Sequence, residues 1–368
     1  MPKLRGRLVK RDKWHFLTTT VGYDRVTVPI FESTARSCKV PLLKTLMSSR
    51  CTNDCKFCPF RAERRTRRES WTPEQLAKVT MHVWRQRRIR GLFLSSAVER
   101  DPDAAVEREL DAVRLLRARG FTDYVHIRVM PGVSYGLIRE AVRLADRVGI
   151  NIEFPSSEHY NDMKLFLDFR QDALKRMRLL AREVKKAQAV GRCRAGLDSQ
   201  MIVGASDETD KEILRVSEWL YKKLNARRVY YSAFEPIAHT PLEHKQAENR
   251  WREYRLYQCS FLLQRYGFRL KDFVLDNNDM LSLRYDPKLL FAIKNEICVD
   301  VNKAEFDDLI KVPGIGLQTA KRILERRAKG AKFESKRELM RVGVLVKKAM
   351  PFIKIGSTRQ KMLGEFRV

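Results

Sequence analysis

The chain is short of negative charge: 45 Asp and Glu stand against 74 Lys and Arg in 368 residues, a net charge of +29. That imbalance excludes an ordinary neutral-surfaced metabolic enzyme and points to a polyanionic partner, because a field of one sign concentrates phosphates near the surface and speeds encounter. Long apolar runs are also missing. None approaches the roughly 20 residues that cross a bilayer, so no membrane association is expected. The first residues, Met1 to Lys13, are charged and carry no apolar centre, so no secretory leader is expected, and with the cysteine usage below a cytoplasmic setting is expected. Cysteine is sparse and odd in number, seven in all. Three cluster and four are scattered, unlike a secreted disulfide framework, so a reducing compartment is expected. An apolar fraction of 44%, with 18 Phe, 11 Tyr and 5 Trp, supplies a core and excludes disorder. Nothing in the sequence fixes an oligomeric state.

Short apolar runs alternate with longer amphipathic ones. Strands are predicted at 40–47, 91–95, 124–129, 150–154, 200–203 and 228–232, each bounded by Gly, Pro, Ser or charge, as parallel strands buried on both faces are. Helices are predicted between them, at 105–119, 134–148, 167–189, 209–224 and 243–266. The first helix has the clearest start, with Thr72 as N-cap, Pro73 at the first helical position and Gln75 three residues after the cap. Six strands alternating with helices predict the α/β class, a partial (β/α)6 barrel of TIM type with its site at the C-terminal strand ends. From Asp300 onward the chain has 17 Lys and Arg against 8 Asp and Glu, +9 over 69 residues, whereas the preceding 299 carry +20. This doubling of charge density places a boundary between Asp286 and Asp300. The expected organisation is an N-terminal extension (1–39), a barrel with a helical extension (40–290) and a C-terminal all-α domain (291–368).

Directly after the first strand, Cys51, Cys55 and Cys58 stand in a Cys-x3-Cys-x2-Cys spacing. Three thiolates on one tight loop can hold three irons of a four-iron cluster and leave the fourth iron open. A structural zinc site normally has four closed ligands, and no His or fourth Cys follows nearby. This spacing, with Phe57 before the last cysteine and a barrel strand before the loop, resembles the signature of the radical S-adenosylmethionine (SAM) enzymes. The resemblance implies a [4Fe-4S] cluster on the three cysteines, with SAM chelating the open iron. It also implies reductive cleavage of SAM to a 5′-deoxyadenosyl radical, and an electron donor such as a flavodoxin or ferredoxin.

The same resemblance marks further cofactor-binding candidates. Phe57 is expected near the adenine. Ser95-Ser96-Ala97 stands where the family often has Gly-Gly-Glu; the small residues Ser95 and Ser96 are kept, but the carboxylate is missing. Glu99, two residues on, is a weak candidate to replace it. Glu153, at a strand end, is a candidate for the SAM ribose, with a salt bridge as the competing reading. Gly204 resembles the glycine of the fifth-strand segment beside adenine. No residue is assigned to catalysis on the substrate. His126 reads as a satisfied core histidine.

A second signal lies in the tail. Val312-Pro313-Gly314-Ile315-Gly316 separates an amphipathic helix ending at Val312 from another carrying Thr319, Ala320, Lys321, Arg322 and Ile323. The glycines permit a tight turn, and the N–H groups that open the second helix favour an anion. The segment resembles a helix-hairpin-helix module, a sequence-independent DNA-backbone clamp. A degenerate second copy over 333–352 implies a compact four-helix unit. A packing or protein-interaction role for this unit is the competing reading. Pro313, Gly314, Ile315, Gly316, Thr319, Lys321 and Arg322 are its nucleic-acid candidates.

Five more basic candidates, Arg61, Arg64, Arg65, Arg67 and Arg68, follow the cysteine loop and grow from the expected catalytic face. Phe60 and Trp71 beside them are either base-stacking or core residues. Together the two modules resemble radical SAM proteins assigned to DNA modification or repair. Three functions stand open: a radical enzyme acting on DNA, a radical enzyme acting on structured RNA such as tRNA, and a non-catalytic Fe–S sensor or scaffold on nucleic acid.

Overall fold

The structure, a computed structural model, describes residues 30–35, 38–163 and 167–355, so the predicted N-terminal extension lies largely outside the described residues. The chain divides into two compact units. One holds the described residues up to Glu208 together with Trp219–Asn249; the other holds Thr209–Glu218 and the described residues from Arg250 onward. The compositional boundary near 286–300 falls inside this second unit.

The first unit is built on one seven-stranded sheet in sequential order. Strand β1 (Ile30–Ala35) runs antiparallel to β2 (Cys38–Leu46). From β2 onward every pairing is parallel, through β3 (Gly91–Ser95), β4 (Tyr124–Val129), β5 (Arg147–Ile150), β6 (Gly196–Val203) and β7 (Arg228–Ala233). Six parallel strands with intervening helices form the half-barrel expected. The fifth strand is displaced from its predicted position at 150–154. Its preceding helix stops at Leu144 rather than Val148 because Ala145 is extended. Asp146 then bonds to Val125 through both its N–H and its carboxylate, each at 2.8 Å, which draws Arg147 into the sheet.

The strands are not apolar on both faces. Val125, Ile127 and Val129 on β4, Val148 and Ile150 on β5, and Leu197, Met201 and Val203 on β6 are buried. Burial of each contributes about 1.5–3 kcal/mol. The alternate positions, His126 and Arg128, Arg147 and Gly149, Asp198 and Gln200, Tyr230, share the opposite face, which is the inside of the half-barrel.

Helix starts follow the sequence signals. Thr72 Oγ1 accepts from Gln75 N at 3.2 Å, and Gln75 Oε1 accepts from Thr72 N at 3.3 Å, so the capping box before Pro73–Arg85 forms as read. The predicted start at Glu243 is moved to Arg250.

In the second unit, Asp210 is fully buried and accepts from Arg252 Nε and from Leu281 N, both at 2.8 Å, tying Thr209–Glu218 to the rest. Its apolar core gathers Leu309, Val312, Ile315, Ile323, Leu339 and Phe352. A two-stranded parallel ladder of Val299–Asp300 with Ile353–Lys354 joins the two ends of the hairpin segment within it. The helix expected to run to Val312 is α-helical only over Phe306–Leu309. Lys311 and Val312 instead bond three residues back, to Asp308 and Leu309, because proline at 313 disfavours helical geometry in the residue before it. The degenerate second hairpin is present as helices Lys336–Arg341 and Val346–Ala349.

Candidate active site

The cysteine loop leaves the end of β2 and folds on itself. Ala62 N bonds to Asn53 O at 2.8 Å, Cys58 N to Cys55 O at 3.1 Å, and Thr52 N to Val98 O at 2.8 Å. Lys56 Nζ reaches Asp162 at 2.8 Å. Cys55 is buried, while Cys51 and Cys58 are half-buried. Burial raises the pKa of the Cys55 thiol, and the neighbouring Cys58 and Cys51 raise it further. Cys58 is pushed up to about 12, by burial first, then by Cys51 and Glu153, against the Phe60 N–H that reaches its sulfur at 3.4 Å. Each thiolate therefore opposes the others, and the set is stabilised as anions only by added positive charge. That is the donor chemistry of an iron–sulfur cluster. Among the described residues no three or more His, Cys, Asp or Glu side chains are gathered around one ion position, the three cysteines included.

The three cysteines open onto a cleft of about 310 Å³, which is also lined by Phe57, Ser95, Ser96, Arg128, Asn151, Glu153 and Gln200. Most of the predicted cofactor residues thus meet at the strand ends. Phe57 packs edge-on against Phe154, with ring centres 5.6 Å apart. Glu153 sits at φ +61°, held by an isolated bridge to Met201 and by Asn151 Nδ2, which donates to it at 2.9 Å. A non-glycine residue in this region stores about 1–3 kcal/mol of strain, a cost concentrated at functional sites.

Gly204 is placed differently. It does not line the cleft, and a Cβ there would meet the Glu248 side chain at 2.3 Å. With φ at +85°, the local backbone itself requires glycine there. Glu99 does not replace the missing carboxylate either. It bonds to Arg108 at 2.5 Å and to Ser48 at 3.3 Å, outside the cleft.

The arginine run is only partly a surface: Arg61 is buried, Arg64 and Arg68 are half-buried, and Arg65 and Arg67 are exposed, so Arg61 is corrected as a phosphate contact. Arg61 is buried and ion-paired with Asp54, and its Nη2 also bonds Glu63 at 2.9 Å. Arg68 donates to four carbonyls, those of Ser49, Phe60, Arg61 and Arg64. Arg64 donates to the carbonyls of Pro59 and Ala238, and Arg67 pairs with Glu69 at 2.8 Å. Only Arg65 is exposed without a hydrogen bond or ion pair among the described residues. The backbone oxygens of a loop out-compete solvent for nearby guanidinium groups, and charge counting cannot detect this. Trp71 is core: it is fully buried and donates to Thr45 Oγ1 at 3.0 Å. Phe60 is buried but lines the cleft.

In the second unit the hairpin residues divide. Pro313, Ile315 and Thr319 face inward, and Thr319 Oγ1 donates to Gly343 O at 3.2 Å. Gly314, at φ +83°, accepts from Leu345 N at 3.0 Å, which clasps the two hairpins together. Lys321 and Arg322 are exposed, and Gly316 caps Leu317–Ala328 with no side-chain bond. A basic side chain the sequence reading missed, Lys288, donates to Ile315 O at 2.7 Å.

Sequence reasoning also missed the inner-face set. Asp198 is fully buried, lies 2.9 Å from His126 Nε2 and 3.4 Å from Arg128 Nε, and Arg128 Nη1 bonds Asn151. Burial opposes ionisation of Asp198, but Arg128, His126 and Arg147 outweigh it and hold its pKa at about 2. The signal was present as polar residues at every second position within the strands.

Residues 45–220 match the family model of the radical SAM superfamily, and residues 294–353 match that of the helix-hairpin-helix motif. No curated protein matches the chain. Among solved structures, methylornithine synthase (PylB) is similar at 14% identity, with 83% of this chain and 80% of that chain covered and a TM-score of 0.47. HydG, a maturase of the [FeFe]-hydrogenase, is similar at 12% identity and a TM-score of 0.47, with 61% of this chain covered; the match spans about half of the maturase, 49%. The HydG from Carboxydothermus hydrogenoformans is similar at 14% identity and a TM-score of 0.46, covering 61% of this chain and 51% of that one.

Proposed function

From a chain whose residues 45–220 match the radical SAM superfamily and whose residues 294–353 match the helix-hairpin-helix motif, we propose an enzyme that modifies or repairs DNA by radical chemistry. The family uses a [4Fe-4S] cluster and SAM. The observation that carries the reading is the opening of Cys51, Cys55 and Cys58 onto the cleft formed by the strand ends. These thiols would hold the cluster, and Phe57, Ser95, Ser96 and Glu153 would hold SAM beside it. When bound, the pair supplies a 5′-deoxyadenosyl radical, a strong hydrogen-abstracting agent. The chain's own part is positioning and exclusion of water: Asn151 orients the Glu153 carboxylate, and Phe57, Phe60 and Tyr160 wall the cleft.

The nucleic-acid half of the reading rests on the hairpin unit. Exposed Lys321 and Arg322 stand on the first turns of a helix whose N-terminus has no side-chain cap, a combination suited to backbone phosphate. Target bases inside a duplex would have to leave the stack.

The test is incubation of reconstituted protein with SAM, a strong reductant and either duplex DNA, single-stranded DNA or tRNA. The expected result is release of 5′-deoxyadenosine and a mass change in DNA. Modification of tRNA alone would overturn the DNA assignment. An intact cluster that releases no 5′-deoxyadenosine under any condition would leave the non-catalytic scaffold.

A further inference from the structure

The inner face of the half-barrel carries a polar group that the cofactor reading leaves unused. Arg128 is 4% exposed yet lines the cleft. It is fixed on several sides. Asp198 reaches it from β6 across β5, and Gly149 makes that reach possible, since a Cβ at 149 would lie 1.8 Å from Asp198 Oδ1. Asn151 takes Nη1, and the rings of Phe93 and Tyr230 lie 6.0 and 5.3 Å from the guanidinium carbon. Nη2 makes no hydrogen bond among the described residues. Gln200, two positions beyond Asp198 on the same face of β6, also lines the cleft, and its amide has no hydrogen-bond partner among the described residues. A buried guanidinium so immobilised, with one donor edge open beside an unused amide, is a recognition device. A side chain needed only for stability would have its donors paired.

We propose that Arg128 and Gln200 read the substrate's nucleobase at a lactam or imide edge. This rests on the nucleic-acid reading above and names the part of the substrate that the cleft selects. A guanidinium only donates, so the group facing it must be an acceptor; with the base entering by its Watson–Crick edge, that group is the exocyclic substituent at C4 of a pyrimidine or C6 of a purine. The Gln200 amide both donates and accepts, so it pairs with the adjacent ring N–H and a further acceptor. Thymine, uracil and guanine present such an edge. At that position adenine and cytosine carry an amino group instead, which would set donor against donor and leave Arg128 unpaired in a buried place, a penalty that rejects rather than merely weakens. The cleft should therefore discriminate between these two sets of bases.

The experiment uses the full chain, reconstituted with cluster, and short single strands of abasic sites that carry one central thymine, guanine, adenine or cytosine. The 5′-deoxyadenosine released is compared with that from the wholly abasic strand. A thymine- or guanine-bearing strand is expected to exceed the adenine and cytosine strands by about tenfold or more, the ratio that about 1.4 kcal/mol of discrimination gives. Gln200→Leu, which breaks no bond within the protein, is expected to bring that ratio to about threefold or less. A strand carrying 4-thiothymidine should photocrosslink to peptides of β4 or β6.

Equal response to all four bases, or crosslinking confined to residues 299–354, would overturn the inference. So would a loss of SAM affinity in Arg128→Lys measured by dialysis without nucleic acid, which would assign Arg128 to the cofactor. A wholly abasic strand as active as the others would overturn base reading while sparing the nucleic-acid function. If no strand of any kind stimulates, that function itself fails and the inference falls with it.

Discussion

His126 is fully enclosed, and burial, working against the attraction of Asp198, lowers its pKa from 6.5 to about 4. Between those values the unfolded chain binds a proton that the folded chain does not. Stability therefore rises with pH across this window and is lost as pH falls from 6.5 toward 4, by about 3 kcal/mol at most. Urea unfolding at pH 4.5 and pH 7 is expected to show this difference, and His126→Gln is expected to flatten it; an unchanged slope would assign the acid sensitivity elsewhere. Cys55→Ala is expected to abolish the visible absorbance of the reconstituted cluster, and a retained spectrum would refute the ligand assignment. At this scale the sequence was legible where spacing within one loop sets the chemistry, as for the three cysteines. It misled where a side chain's partner is decided by folding. Nothing in the order of residues says that Arg61 meets Asp54 or that Arg68 meets four carbonyls.

Strands and turns show a second kind of dependence, on what lies across from them. Gly149 has Asp198 on its register partner, and alanine there would push the carboxylate away from Arg128. Gly149→Ala is expected to lose about 3–5 kcal/mol in denaturant unfolding, the range for separating a buried ion pair. Gly120→Ala is the useful contrast: φ is +84° but nothing lies within 4 Å of the added carbon, so about 1 kcal/mol is expected. Similar losses for the two would remove the cross-strand argument. The capping box at Thr72 was readable because it is local, and so were the number and direction of the parallel strands. The fifth strand was misplaced because an aspartate bonded to the neighbouring strand, not an intrinsic preference, ends the helix before it. The two-faced character of the strands was readable from the polar residues at every second position in Tyr124-Val125-His126-Ile127-Arg128.

Over the whole molecule, the net charge of +29 acts less through the cysteine loop than its arginines suggest, because most of them are engaged internally. The exposed hairpin cations are better placed to meet phosphate. Nucleic-acid affinity is expected to fall with salt, and Lys321→Gln combined with Arg322→Gln to reduce the log–log slope by about 2. Fluorescence anisotropy across a salt series checks this, and an unchanged slope would remove the hairpin from the interface. SAM cleavage without nucleic acid is expected to vary little over the same series. Composition located the basic tail but not the extent of the unit that contains it. That unit also takes in Thr209–Glu218, through the Asp210–Arg252 pair, a link between residues far apart in sequence.

Arg68 binds the residue before the cysteine loop, Ser49, and three residues after it, so one side chain latches both ends of the loop. A loop latched in this way does not depend on iron for its closure. It differs in this from small metal-built domains, where removing the metal is unfolding. Oxygen damage to the cluster should therefore empty the protein without collapsing it. Chelation is expected to leave the melting temperature nearly unchanged by calorimetry, and iron and sulfide to restore the spectrum without refolding. In Arg68→Ala, by contrast, the emptied chain is expected to lose the capacity to be reloaded. An internal arginine would then serve as the memory of the cluster's shape between one cluster and the next.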